Sequence, residues 1–209
     1  NGGRDQFNGP ATFNNNGTDR FYFAYNHAGQ TTTFGSSLVL NSNKSGGTNA
    51  WSYMIAEGTD THVLFGGSVT INCAGAMRSN HRILQGNGST ATYNGTVTVN
   101  LTNTDPSTSI NLGPNGTAAY NGNIVVSSSG GASGVYFNTT ASSSSTLAAT
   151  RTIAIGGGGF NSGTLGLSRF SQVGATAQTL NTFTGTANLT LGPSTSFGGN
   201  VVFAAPSLL

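Results

Sequence analysis

Short runs in which apolar and polar residues alternate recur along the whole chain, and they set the expected secondary structure. Val97-Thr98-Val99-Asn100 is one such run. In a β-strand successive side chains point to opposite faces, so Val97 and Val99 share one face and Thr98 lies on the other. The runs are rich in β-branched and aromatic residues, and Gly, Asn, Ser and Pro separate them. This pattern predicts an all-β protein.

One unit of sequence returns at nearly constant spacing. An aromatic residue, usually followed by Asn-Gly or Gly-Gly, comes four positions before an alternating run, at Phe7, Phe34, Phe65, Tyr93, Tyr120 and Phe197. Successive runs start at Ala11, Leu38, Val69, Val97 and Ile124, at intervals of 27, 31, 28 and 27 residues. A period of about 20 to 50 residues is typical of a solenoid, propeller or array.

The unit becomes less regular toward the end of the chain. The next run, Ile153-Ala154-Ile155, follows after 29 residues and lacks the aromatic, so that Leu147 or Ala149 stands in its place. Either Thr179 or Phe183 could begin the following turn, and the sequence leaves this choice open. The coil register is therefore undefined between residues 147 and 190.

A second series of alternating segments places one further strand in each interval. Its members are Phe21–Phe23, Tyr53–Ile55, Ile83–Leu84, Ile110–Leu112, Val135–Phe137, Leu165–Leu167 and Leu189–Leu191. We therefore expect at least two strands in each coil, with a third short one. The Gly after each aromatic is expected to allow a positive φ at a corner between strands.

Polar residues also recur once per coil, which distinguishes a solenoid from an antiparallel sandwich. Asn14, Asn41, Asn72 and Asn100 each lie three positions after the start of a run, and Ser127 and Gly156 follow at the same place. A sandwich gives no reason for such recurrence, whereas a parallel solenoid stacks equivalent residues about 4.8 Å apart. The sequence predicts a parallel β-solenoid with coils of roughly 27–31 residues and inner ladders of rings and amides.

The whole chain, residues 1–209, is expected to form a single solenoid of about seven coils. Both termini are abrupt, since the chain opens with Asn1-Gly2-Gly3 and ends with Ser207-Leu208-Leu209. Neither terminus offers a charged or helical cap for an exposed strand edge. We expect a segment cut from a longer repetitive chain, with flanking repeats or copies of itself as partners.

Composition narrows the classes of function. Only 6% of the residues are charged, against roughly 25% in soluble globular domains. The seven basic residues are scattered singly, without the clusters that bind nucleic acid, and no apolar stretch reaches the roughly 18 residues that span a bilayer. We expect no nucleic-acid partner and no membrane insertion. The single cysteine, Cys73, shares the inward face of Val69 and Ile71 and is expected to be a buried thiol.

Three phrases carry a resemblance to a known family. Phe7-Asn8-Gly9-Pro10-Ala11-Thr12-Phe13-Asn14, Tyr93-Asn94-Gly95-Thr96-Val97-Thr98-Val99-Asn100 and Tyr120-Asn121-Gly122-Asn123-Ile124-Val125-Val126 resemble the FNG-type repeats of very large secreted surface proteins of gliding Bacteroidetes-type bacteria. The resemblance implies export to the cell surface and a role in a stalk, filament or adhesin, with surface glycans or other cells as possible partners. It implies no catalytic residues.

A search for chemistry finds one neighbourhood of interest. Glu57, Asp60 and His62 lie close together in the sequence, and His81 with Arg82 follows about one coil later. A site that binds or cleaves polysaccharide is the alternative function there, since such enzymes need clustered carboxylates. Cross-coil ion pairs on a solvated turn are the simpler interpretation. We expect no enzyme, and we assign no catalytic, cofactor or metal residue.

Two arrays suggest binding by a flat surface. Thr70 and Thr98 occupy equivalent outward positions, as an ice-binding solenoid would require, but Val39 and Val125 interrupt their column. The aromatic residues Trp51, Tyr53 and Phe21–Tyr25 could form a strip on which sugars stack, or could belong to the core and its corners. Both alternatives stay open, with the extracellular structural or adhesive segment as the leading hypothesis.

Overall fold

The computed structural model is a parallel β-solenoid of about seven turns. It describes residues 5–44, 50–83, 86–180 and 183–203. These residues form 23 strands and no helix, and the strands assemble into three parallel sheets. The predicted fold class is confirmed.

Each coil contributes one strand to each sheet, and neighbours in a sheet are one coil apart in the chain. The first sheet contains β1 (Gln6–Phe7), β4 (Thr31–Phe34), β7 (His62–Phe65), β10 (Thr90–Tyr93), β13 (Thr117–Tyr120), β16 (Ser144–Leu147), β19 (Phe170–Gln172) and β22 (Ser196–Phe197). The second contains β2 (Ala11–Asn15), β5 (Leu38–Ser42), β8 (Val69–Cys73), β11 (Val97–Leu101), β14 (Ile124–Ser128), β17 (Ile153–Phe160), β20 (Gln178–Leu180) and β23 (Val201–Phe203). The third contains β3 (Phe21–Phe23), β6 (Trp51–Ile55), β9 (Asn80–Ile83), β12 (Ser109–Leu112), β15 (Gly134–Phe137), β18 (Thr164–Leu167) and β21 (Asn188–Leu191).

The alternating runs predicted from the sequence form the second and third sheets. The segment predicted at Ile83–Leu84 is the end of β9, and Leu84 itself lies outside the described residues. The short third strand of each coil forms the first sheet, and it ends with the aromatic residue of the repeat in all its strands but β16 and β19, which end with Leu147 and Gln172. The open choice near the end of the chain is resolved as well, because Thr179 pairs with Ala154 in the second sheet whereas Phe183 makes only an isolated bridge to Phe160.

The glycines that follow the aromatic residues have a different role from the predicted one. Gly95 and Gly122 do not adopt a positive φ. A Cβ at Gly122 would overlap the carbonyl oxygen of Gly95 in the preceding coil, and a Cβ at Gly95 would overlap the backbone of Gly67. Glycine is needed at this corner because the backbones of successive coils lie in direct contact.

The run Gly156–Gly159 interrupts the regular pairing of the second sheet. It lies inside β17, where the pairing with β14 shifts between Val126 and Ser128. The extra residues form a bulge that bends the strand and leaves part of it unpaired.

The core is a narrow column between the three sheets. One coil shows its make-up: Tyr93 comes from β10, Val97 and Val99 from β11, and Ile110 and Leu112 from β12, and none is more than 1% exposed. Burying each such side chain stabilises the fold by about 1.5–3 kcal/mol. Because every coil adds its own layer, stability arises from contacts between neighbouring coils.

We expect Phe65→Ala to lower the free energy of unfolding by about 3–5 kcal/mol, because it opens a cavity in the fully buried core. Phe65→Leu is the matched control, since Leu147 already occupies the same column two coils beyond Tyr93. It should cost less than half as much. Chemical denaturation of both variants measures the difference, and equal losses would contradict the packing described here.

Candidate functional site

The aromatic residues of the repeat form a stack along the solenoid axis. Ring centroids lie 4.8 Å apart from Phe7 to Phe34, 5.5 Å from Phe34 to Phe65, 4.6 Å from Phe65 to Tyr93 and 4.7 Å from Tyr93 to Tyr120, and each pair of planes is within 15° of parallel. The spacing of the stack follows the separation of neighbouring strands. The rings therefore repeat the geometry of the backbone.

Beyond Tyr120 the same column continues with other residues. It passes through Leu147, rather than Ala149, and then through Gln172 to Phe197. Phe197 is in register with the predicted ladder but is separated from its other rings, and it lies 6.2 Å from Phe170 instead. The ring stack thus covers the first five coils only.

An amide ladder runs along the outer face of the second sheet. The Nδ2 group of Asn41 donates to Oδ1 of Asn14, that of Asn72 to Asn41, and that of Asn100 to Asn72, each at 2.8 Å. The hydroxyl of Ser127 ends the series by donating to Oδ1 of Asn100 at 3.0 Å. The amides of Asn41, Asn72 and Asn100 each donate and accept, so the ladder ties five successive coils together along the axis.

The charged residues singled out from the sequence form separate pairs rather than one site. Arg82 lies 3.9 Å from the Glu57 carboxylate, and its guanidinium stacks 3.8 Å above the Trp51 ring. His62 lies 3.5 Å from Asp60 on a different edge of the coil. Burial raises the pKa of Glu57, and the Arg82 charge opposes that rise. Only the Arg82–Glu57 pair joins neighbouring coils, as the simpler interpretation expects, whereas Asp60 and His62 lie on the same turn of the chain.

His81 belongs to the core and not to this neighbourhood, so its proposed place in a polysaccharide site is wrong. Its side chain is fully buried, lies 5.3 Å from the Tyr53 ring, and has no hydrogen bond from either ring nitrogen within the described part of the chain. Burial lowers its pKa to about 3. A neutral, apolar-like imidazole is the only form that this position favours.

Cys73 is buried as predicted, and burial raises the pKa of its thiol to about 12. Its Sγ donates to the Ser79 carbonyl at 3.3 Å. Among the described residues no group of three or more His, Cys, Asp or Glu side chains could hold a metal ion. Nor does any helix in that part of the chain have the length and apolarity to cross a membrane.

The aromatic residues for which the sequence left open a surface strip or a place in the core are divided between core and solvent. Tyr53 and Phe23 are buried, whereas Tyr22 and Tyr25 are exposed and lie 4.7 Å apart. Tyr22 starts the outward column of the third sheet, which continues through Met54, Arg82, Asn111, Tyr136, Gly166 and Thr190. This column carries larger and more varied side chains than the outer faces of the other two sheets.

One feature of this column is not evident from the sequence. Tyr136 and Gly166 lie side by side there and form part of a surface groove. The available signal was the glycine at the outward position of Leu165-Gly166-Leu167, one coil after an outward tyrosine. Without the register of the coils, that pairing could not be recognised.

The outward columns that contain threonine also contain other residues. Val39, Thr70, Thr98 and Val125 share one column on the second sheet, as expected. On the first sheet Thr31 and Thr33 are followed by His62 and Leu64 and then by Thr90 and Thr92. A continuous threonine lattice is therefore absent from these described strands, which does not favour ice binding.

Comparison with known proteins gives no relative. No family model, no curated protein and no solved structure matches this chain. The resemblance to FNG-type surface repeats therefore stays a prediction from the sequence.

We expect Asn72→Ala to lower the free energy of unfolding by about 1–3 kcal/mol, because two side-chain hydrogen bonds are lost. Thr70→Ala is the matched control on the same face of β8, where the threonine hydroxyl has no hydrogen bond among the described residues. It should cost clearly less. Urea denaturation of the two variants compares them directly, and equal losses would show that the amide ladder adds no stability.

We expect His81 to make the fold sensitive to acid. Its pKa of about 3 lies below the value near 6.5 of an unfolded chain, so the unfolded state binds the extra proton between these pH values. The free energy of unfolding therefore keeps its full value above about pH 6.5. Below that pH it falls by about 1.4 kcal/mol per pH unit.

The His81→Ile variant should remove this pH dependence, because Ile110 occupies the same column in the next coil. The difference in free energy of unfolding between His81→Ile and the native chain should shift in favour of the variant by about 2 kcal/mol when the pH falls from 7 to 5. Ile110→Val, an apolar change in the same column, is the control and should leave the slope unchanged. Urea melts at the two pH values test this, and parallel pH profiles for His81→Ile and the native chain would refute it.

Proposed function

We propose that the chain is a structural and adhesive segment of an extracellular filament, stalk or cell-surface appendage. The observation that carries the proposal is axial continuity, because the ring stack, the amide ladder and three parallel sheets all run in one direction. Each coil is hydrogen-bonded to the next along three sides. Such a column can be lengthened by adding coils, because each coil contacts only its neighbours.

The two ends of the described solenoid support association with further coils. At one end β1, β2 and β3 pair on one side only, and at the other β21, β22 and β23 do so. Phe21 and Tyr22 are exposed at the first end, and Leu191 and Phe203 at the second. Strand edges with apolar side chains are templates for more strands, so the partners proposed for these two faces are copies of this chain.

The columns at the two ends also match. Phe7 and Phe197 belong to one column of the first sheet, and Phe13 and Phe203 belong to one column of the second. A coil added head to tail would place a ring against a ring at the strand spacing, as Phe7 and Phe34 already do. Head-to-tail contact that does not close gives a filament.

The surface composition supports an extracellular location. Ser, Thr, Asn and Gly take the place of charged residues on a chain with a formal net charge of only +2. The resemblance to secreted surface repeats points to the same location. We propose that these hydroxyl and amide groups meet water, glycans or the surfaces of other cells.

Cleavage of a polysaccharide is the weaker alternative. It would require Glu57 and Asp60 to work on one sugar, but the Glu57 carboxylate faces Arg82 and the Asp60 carboxylate faces His62. Two carboxylates in separate ion pairs do not form the acid and base pair that glycoside hydrolysis uses. We therefore propose binding rather than catalysis.

The proposal predicts long rods of constant width in negative-stain images of the protein as the cell produces it. Antibody labelling of intact cells should decorate those rods, because the segment is proposed to lie outside the cell. Isolated compact particles, or labelling that appears only after the cells are opened, would contradict it.

A further inference from the structure

A groove opens on the outer face of the third sheet, toward its later coils. It has a volume of about 220 Å³, enough for one small ring-shaped molecule. Tyr136 forms one wall, and Thr164, Ser168 and Thr190 contribute to the others. None of the ion pairs described above lies in this groove.

The groove exists because the side chains of the outward column differ sharply in size from one coil to the next. Tyr136, Gly166 and Thr190 occupy this column in three successive coils. A Cβ at Gly166 would lie 2.7 Å from Cδ1 of Tyr136, which is closer than real Cβ atoms approach a neighbour. The tyrosine ring therefore lies across the glycine, and the space beside it stays open.

The ring is held in a fixed position. Its hydroxyl lies 3.0 Å from both the hydroxyl and the carbonyl oxygen of Ser133. Behind the groove, the Asn138 amide donates to the carbonyl oxygens of Ser168 and Arg169 at 2.8 and 3.2 Å and accepts from Ser145 at 3.0 Å. Because the aromatic wall is already fixed, less side-chain conformational entropy is lost when a ligand binds.

Polar groups on the rim are free to bind a ligand. The hydroxyls of Thr164, Ser168 and Thr190 have no hydrogen-bond partner within the described ranges of the chain, and Thr190 is exposed. No charged side chain lines the groove. An aromatic wall with a few hydroxyl groups and no charge suits a neutral ligand that has both apolar and polar edges.

We propose that this groove binds one neutral sugar ring of a surface glycan. A pyranose presents C–H groups on its face, which pack against an aromatic ring, and hydroxyls at its edge, which pair with threonine and serine. An anionic sugar would find no cation here. The inference rests on the proposed adhesive function and specifies the ligand class of that function.

The test is a calorimetric titration of the intact chain. Cellohexaose, laminarihexaose and mannohexaose are the neutral probes, and polygalacturonate is the acidic probe. We expect at least one neutral probe to bind at millimolar concentration or better, with little dependence on salt. Tyr136→Ala should weaken that binding at least tenfold. Gly166→Leu should do the same, because its side chain occupies the groove and displaces the Tyr136 ring, which even a Cβ at this position would overlap.

Tyr22→Ala is the matched control, since Tyr22 is an exposed tyrosine in the same outward column but does not line this groove. It should leave binding unchanged. Thr190→Val preserves side-chain shape at an exposed position and tests the rim if a larger change prevents folding; it should weaken binding several-fold. Failure of all three neutral probes, or binding that is unchanged in Gly166→Leu and Thr190→Val, would overturn the inference.

The two proposals fail in different ways. Rods on the cell surface without sugar binding would refute the sugar site and leave the filament. Sugar binding by a protein that forms no rods would refute the filament and leave the site.

Discussion

The in-register hydrogen bonding of each coil to the next is the constraint on which the rest of this structure depends. It places each residue about 4.8 Å from its equivalent in the neighbouring coil, so every outward side chain must tolerate a copy of itself. Like charges at that distance repel by about 1 kcal/mol even in water. An amide has both a donor and an acceptor and can pair with its own kind, as Asn41, Asn72 and Asn100 do. The low charge and high Asn, Ser and Thr content follow from this geometry.

The same constraint explains why the Arg82 ion pair and the groove occur where the residue type in a column changes from one coil to the next. Arg82 follows Met54 and precedes Asn111, so its charge meets no like charge above or below it and can stack on Trp51. Tyr136 precedes Gly166, and the change in size opens a groove. Where a column is uniform, its side chains satisfy each other. Where it is not, groups are left for a ligand or for an ion pair.

The sequence predicts the features that repeat. The second sheet, the amide ladder and the first five rings can be predicted because residues of the same kind return at intervals of 27 to 31 positions. The sequence does not indicate that His81 is buried, because its neighbours Asn80 and Arg82 are also polar and no alternating apolar pattern marks the inward position. The role of Gly95 and Gly122 was misjudged because the contact that requires glycine is made with another coil. Non-repeating neighbours, such as Tyr136 and Gly166, become visible only when the register is known.

The two proposals depend on each other energetically. A groove for one sugar ring yields about 4 kcal/mol at the efficiency of ordinary ligands, which corresponds to millimolar affinity. Such a site cannot hold a cell to a surface alone. When many copies are fixed along a rod, later contacts become intramolecular and the total affinity can rise by about 10²–10⁴. A stiff filament that presents many weak sugar sites therefore achieves adhesion that a single soluble copy could not.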